Sequence, residues 1–193
     1  PLQQQLYCCV PTCVQMIMLR HTLPLRPAEE LGAYMGLIVP PEDAGFFYNP
    51  AVVSPRPEIG YGSAHVVSPE THPNNAFERL GITLRMEEER IDRFDGAEAF
   101  EARLREIIDS DLDALLCLRW ADVMDSGTII EPVDMLSGHV VVVDCFLENG
   151  SLRIIDPARG QKWREYPVET LYKSAHAHTP GRGGGIWVFR KTP

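Results

Sequence analysis

The stretch from His139 to Asp156 constrains the fold more than any other part of the chain. It reads HVVVVDCFL, then Glu148, Asn149 and Gly150, then SLRIID. β-Branched residues lose side-chain freedom in a helix and pack well on a pleated surface, so the valines from Val140 to Val143 favour a strand. Asn and Gly tolerate the backbone conformations of a tight connection, which makes the segment between the two runs a turn and the whole stretch an antiparallel hairpin. Two more apolar runs, ALLCLRW from Ala114 to Trp120 and GGGIWVFRK from Gly183 to Lys191, read as further strands.

The front of the chain has a different period. Pro11 opens PTCVQMIMLR, and proline suits the first turn of a helix, so a helix starts just after Cys9. A second helix is expected from Pro27 to about Leu37, with acidic residues at its front. NNAFERLG reads as a short helix closed by Gly81, and ITLRMEEERI as a strand. GAEAFEARLREIID is the clearest amphipathic helix, with Ala97, Phe100, Leu104, Ile107 and Ile108 on one face. Between Val39 and Asn75 prolines, glycines and the aromatics Phe46, Phe47, Tyr48 and Tyr61 replace periodicity. So long a connection is either ordered by its own contacts or functional, for instance as a cleft wall. Helices first and an antiparallel sheet afterwards predict an α+β fold in a single domain of residues 1–193. Its helical part covers about 1–110 and its sheet part about 111–193.

Composition narrows the functions open to such a domain. A chain of 193 residues buries roughly 70% of its unfolded surface and needs no staple. The net charge of −9 works against nucleic acid as a partner. No apolar run approaches the roughly 20 residues a membrane-spanning helix requires, so no membrane insertion is expected. No basic segment leads an apolar one at the start of the sequence, and a cytoplasmic location is the expectation.

The five cysteines are odd in number and do not form a disulfide framework. Cys8, Cys9 and Cys13 crowd together, whereas Cys117 and Cys145 stand alone inside apolar runs and read as small buried hydrophobes. Zinc would want paired ligands in two places, so neither a metal nor a cofactor is expected. His176 and His178 read as a solvated loop, and His65 and His72 as candidates to line a cleft. GRGGG at Gly181 to Gly185 lacks the strand before it and the helix after it that a phosphate loop needs.

Cys9 sits where the unpaired N–H groups and dipole of a helix start favour an anion, a setting that makes a thiol acidic. His139 begins a buried strand, where its ring is fixed. The hairpin returns Asp156 to the same end as His139, where its carboxylate orients the imidazole.

These segments resemble a known family. QQQLYCCVPTCVQMIM is similar to the opening of the papain-like cysteine peptidases related to the double-glycine leader peptidases that process bacteriocins, in which Gln, five residues on, precedes Cys-Gly-Pro. GHVVVVDCFLENGSLRIIDPARG is similar to their Gly-His strand, turn and Asp-Pro segment. The resemblance implies a papain-like fold and a peptidase or amide hydrolase acting through an acyl-enzyme on a peptide or other acyl substrate. It puts Cys9 in the place of the nucleophile, His139 in that of the base, Asp156 in that of the orienting acid and Gln3 in that of the oxyanion donor. Val10 stands where the family has Gly. Taking Cys8 as the nucleophile would set Leu2 at the oxyanion position, where it has no hydrogen to donate, so Cys9 is preferred. An acyltransferase or deamidase with the same triad, and a binding module of the same fold without the chemistry, remain open beside the hydrolase.

Overall fold

In the computed structural model the described residues are 2, 5, 7–53, 70–119, 138–158, 163–178 and 184–193. Chain contacts divide the protein into two compact units. The first comprises Pro1–Met86, Pro157–Arg159 and Lys191–Pro193, and the second Glu87–Asp156 and Gly160–Arg190.

The first unit is helical, as the front of the sequence implies. Helix α1 spans Cys9–Arg20, with Pro11 in its first turn and Cys9, Cys13, Val14, Ile17 and Met18 buried. It packs against α2, Ala28–Tyr34, which is shorter than the sequence predicts because the helix ends before Gly36 at positive φ. Helix α3, Pro73–Leu80, is held at both ends. The His72 ring accepts at Nδ1 from the Asn74 N–H at 3.1 Å, and Gly81 closes it in the left-handed conformation. The Asn74 amide also spans the Met86 backbone, donating to its carbonyl at 2.8 Å and accepting from its N–H at 2.7 Å.

The described part of the proline-rich connection is ordered by its own contacts. Two 3-10 turns, Pro41–Phe46 and Pro50–Val52, are closed by a parallel bridge between Val39 and Val53. Leu37, Val39 and Val52 pack with Cys8 in a small apolar cluster.

Strand β1, Leu84–Arg90, leads into the second unit. The sheet continues with β2 at Asp113–Arg119, β3 at Gly138–Phe146, β4 at Leu152–Ile155, β5 at Arg164–Tyr166 and β6 at Gly185–Lys191. These strands lie in the order β1-β6-β2-β3-β4-β5, and β2 pairs antiparallel with both β3 and β6. The expected hairpin is β3–β4, with Val142 opposite Ile155 and Phe146 opposite Leu152. The fold is therefore α+β, with an antiparallel sheet that follows the first helices in the chain.

Two helices of the second unit share a core with this sheet. Helix α4, Ala97–Asp109, buries Phe100, Leu104 and Ile107, the stripe read from its period. Helix α5, Val168–Ala177, adds Val168, Leu171 and Ala175 against Leu116, Leu118, Val141 and Ile154. Each of the larger side chains contributes roughly 1.5–3 kcal/mol by leaving water. No helix among the described residues is long and apolar enough to cross a membrane.

Two local expectations change, and a third gains its reason. His176 lies in the last turn of α5, not in a loop, although its side chain is exposed as expected. Cys145 is half-buried because a register irregularity between Val143 and Cys145 interrupts the alternation of β3. The end of the glycine run is explained by packing: a Cβ on Gly184 would lie 2.2 Å from the Cys117 carbonyl oxygen and 2.5 Å from that of Ala175.

Candidate active site

The residues singled out in the sequence fall into two groups, one in each unit, and each group has its own geometry.

In the first unit, Cys9 is the first residue of α1 and is 7% exposed. The helix has no side-chain cap and no acidic residue in its first turn. The chain reaches this point through Tyr7, whose φ of 62° is left-handed and costs a residue with a Cβ free energy. The conformation is held from outside: the Tyr7 hydroxyl donates to Asp43 Oδ2 at 2.5 Å. Gln5 donates from Nε2 to Glu29 Oε1 at 2.8 Å and to the Phe46 carbonyl at 2.5 Å. Glu29 in turn accepts the backbone N–H groups of Tyr48 at 3.1 Å and Asn49 at 2.8 Å. The connection that follows α2 is thereby tied to the residues just before Cys9.

The neighbouring thiols differ from Cys9. Cys8 is fully buried, and its thiol is pushed up to about 12, chiefly by burial and further by the charges of Cys9 and Glu29. A thiol that stays protonated at neutral pH is a poor nucleophile, which counts against Cys8. Cys13 is 0% exposed within α1, a core residue.

In the second unit, His139 Nε2 and Asp156 Oδ1 are 2.7 Å apart. Strand register produces this contact. Val142 opposes Ile155, so Asp156 falls opposite Val141, and His139 two residues along shares that face as a diagonal neighbour. An ionised carboxylate only accepts, so a proton on Nε2 makes this contact a hydrogen bond.

The sequence reasoning missed the third member of this row. Arg164 on β5 opposes Ile154, which places it on the face of Asp156, and its Nε lies 3.3 Å from Asp156 Oδ2. Its Nη1 donates to the Tyr166 hydroxyl at 3.2 Å. Period-two reading of Arg164, Glu165 and Tyr166 would have turned Arg164 and Tyr166 to one face, but three residues are too short a run to register as a strand.

Gly138 has a separate role. A Cβ there would lie 2.0 Å from the His178 ring, so only glycine admits that ring against the start of β3. Burial lowers the proton affinity of His178. His72, a candidate for a cleft, is the cap of α3, while Gln3 and His65 lie outside the described residues. All five cysteines are described and none is in a disulfide. Among the described residues no group of three or more His, Cys, Asp or Glu is placed to hold a metal ion.

No family model matches the sequence, and none of the curated proteins matches it.

Proposed function

We propose that the protein is a papain-like cysteine hydrolase in which Cys9 is the nucleophile, His139 the base and Asp156 the group that orients the base. The observation that carries this reading is the buried 2.7 Å contact between His139 and Asp156. With Nε2 engaged by the carboxylate, proton transfer runs through Nδ1, which takes the Cys9 thiol proton. The thiolate attacks the carbonyl carbon of an amide, thioester or ester, and the carbonyl electrons move onto oxygen. The N–H of Cys9 at the helix start and the Gln3 amide would receive that oxyanion, one such donor being worth about 3 kcal/mol. Collapse expels the leaving group, which takes the proton from His139, and water then releases the acyl group with His139 again as base. An amine in place of water makes the same machinery an acyltransferase.

One observation favours a second reading. The His139 side chain is 0% exposed, as in a binding module that retains the buried ion row and has no chemistry. Alkylation decides between the two. With iodoacetamide at neutral pH, mass mapping should find Cys9 modified ahead of Cys8, Cys13, Cys117 and Cys145, and His139→Ala should move the pH midpoint of Cys9 labelling upward. A Cys9 that is inert, or whose labelling profile ignores His139→Ala, leaves the binding module.

A further inference from the structure

Arg164 is a buried cation that the chemistry above does not use. Its side chain is 6% exposed and that of Asp156 2%, and His139 has no exposed surface at all, so water screens the row little. A buried carboxylate needs a countercharge. A pair of Asp and His alone would obtain one by protonating the imidazole. Here a guanidinium, which stays charged at any pH a protein survives, already supplies it at Oδ2. Among the described residues the row of Arg164 cation, Asp156 anion and neutral imidazole is balanced. A proton on His139 would add a second positive charge to it.

We infer that Arg164 is a positioning residue for His139: through Asp156 it fixes the Nε2–H tautomer and keeps the imidazole in its neutral, proton-accepting form. Among the described residues the other neighbouring elements do not duplicate this. On β2 Leu118 stands opposite His139, and alternation turns Cys117 and Arg119 to the other face. Tyr166 on β5 contributes a neutral hydroxyl that accepts from Arg164. Beyond α5 the His178 ring lies against Gly138, and its burial disfavours a charge on it. Helix α5 keeps Lys173 and His176 exposed, and α4 meets the core with Phe100, Leu104 and Ile107.

The word positioning rests on the proposed function, whereas the protonation state of His139 does not, and the test reads the second directly. The full chain carrying Cys9→Ala is followed by ¹⁵N NMR of the His139 ring against pH, so that no thiol titrates with it. The parent should show a neutral Nε2–H imidazole at pH 7. Arg164→Gln should raise the His139 midpoint by about one pH unit or more, and Arg164→Lys, which keeps the charge, should stay near the parent. In an Asp156→Asn background the effect of Arg164→Gln should shrink to a small remainder. An unchanged midpoint in Arg164→Gln, or an equal shift with and without Asp156, overturns the inference. If Arg164→Gln does not fold, the parent and Arg164→Lys decide: an imidazolium at pH 7 in the parent overturns it, and a neutral ring in both upholds it. Failure here leaves Cys9 alkylation untouched, and an inert Cys9 leaves this titration untouched.

Discussion

Two buried carboxylates, Glu29 and Asp156, solve the same problem in different ways. Glu29 is 1% exposed and is satisfied by neutral donors: the Gln5 amide and the backbone N–H groups of Tyr48 and Asn49. Asp156 is 3% exposed, with an imidazole at one oxygen and a guanidinium 3.3 Å from the other. Neutral donors make Glu29 a tie between stretches of backbone, holding the connection after α2 to the residues that precede Cys9. A cation and a titratable ring make Asp156 part of a proton balance. The type of donor, more than burial, separates a buried acid that ties backbone together from one that faces a titratable ring.

The comparison is tested most severely at Asp156. Replacing it with Ala leaves the Arg164 guanidinium buried without its carboxylate, and breaking a buried pair from one side costs about 3–5 kcal/mol. Urea unfolding at pH 7 should show that loss as a lower midpoint with an unchanged slope. A loss within the range of an ordinary surface substitution would mean that the row is not a unit.

At Glu29 the expected cost is smaller. Glu29→Gln keeps the shape and one acceptor oxygen but turns an NH₂ group toward donors, a mismatch of about 1–3 kcal/mol. It also removes one of the charges that raise the Cys8 thiol, so that thiol should fall while staying above its ordinary range, because burial is the larger cause. Labelling of Cys8 against pH follows this. Equal losses for Glu29→Gln and Asp156→Ala would erase the distinction between the two sites.

The smallest effect lies at a half-buried acceptor, the His72 ring that caps α3. Burial holds the His72 ring below its ordinary value of 6.5, so the unfolded chain binds more protons there than the folded one. Stability from this group is therefore complete above the ordinary value and declines as pH falls below it, where protonation also removes the Nδ1 acceptor of the Asn74 N–H. His72→Asn keeps a capping acceptor and should flatten that part of the decline, as read by urea unfolding at pH 5 and pH 7. His178, shifted the same way by burial, retains its own share.

The candidate residues within each unit were legible because their placement depends on neighbours in sequence. Pro11 marked the start of α1 and so the place of Cys9, and a turn at Asn149 and Gly150 between two β-branched runs was enough to bring Asp156 back toward His139. Arg164 was not legible: β5 is only three residues long, and nothing local tells a charged residue in so short a run that it will be buried. Helix α5 could have been found, since Val168, Leu171, Tyr172 and Ala175 follow helical spacing behind Pro167, but the histidines near its end drew the reading toward a loop.

By itself the sequence determined helices α1–α4, strands β1–β4 and β6, the hairpin and the candidate residues at its two ends, because periodicity, turn chemistry and proline act over a few residues. Only the tertiary structure decided which buried acid meets which donor. Burial and register join residues far apart in the chain: Gln5 with Glu29, Tyr7 with Asp43, Asp156 with Arg164. The strength of a charge interaction depends on the water excluded around it, and that exclusion exists only once the chain has packed.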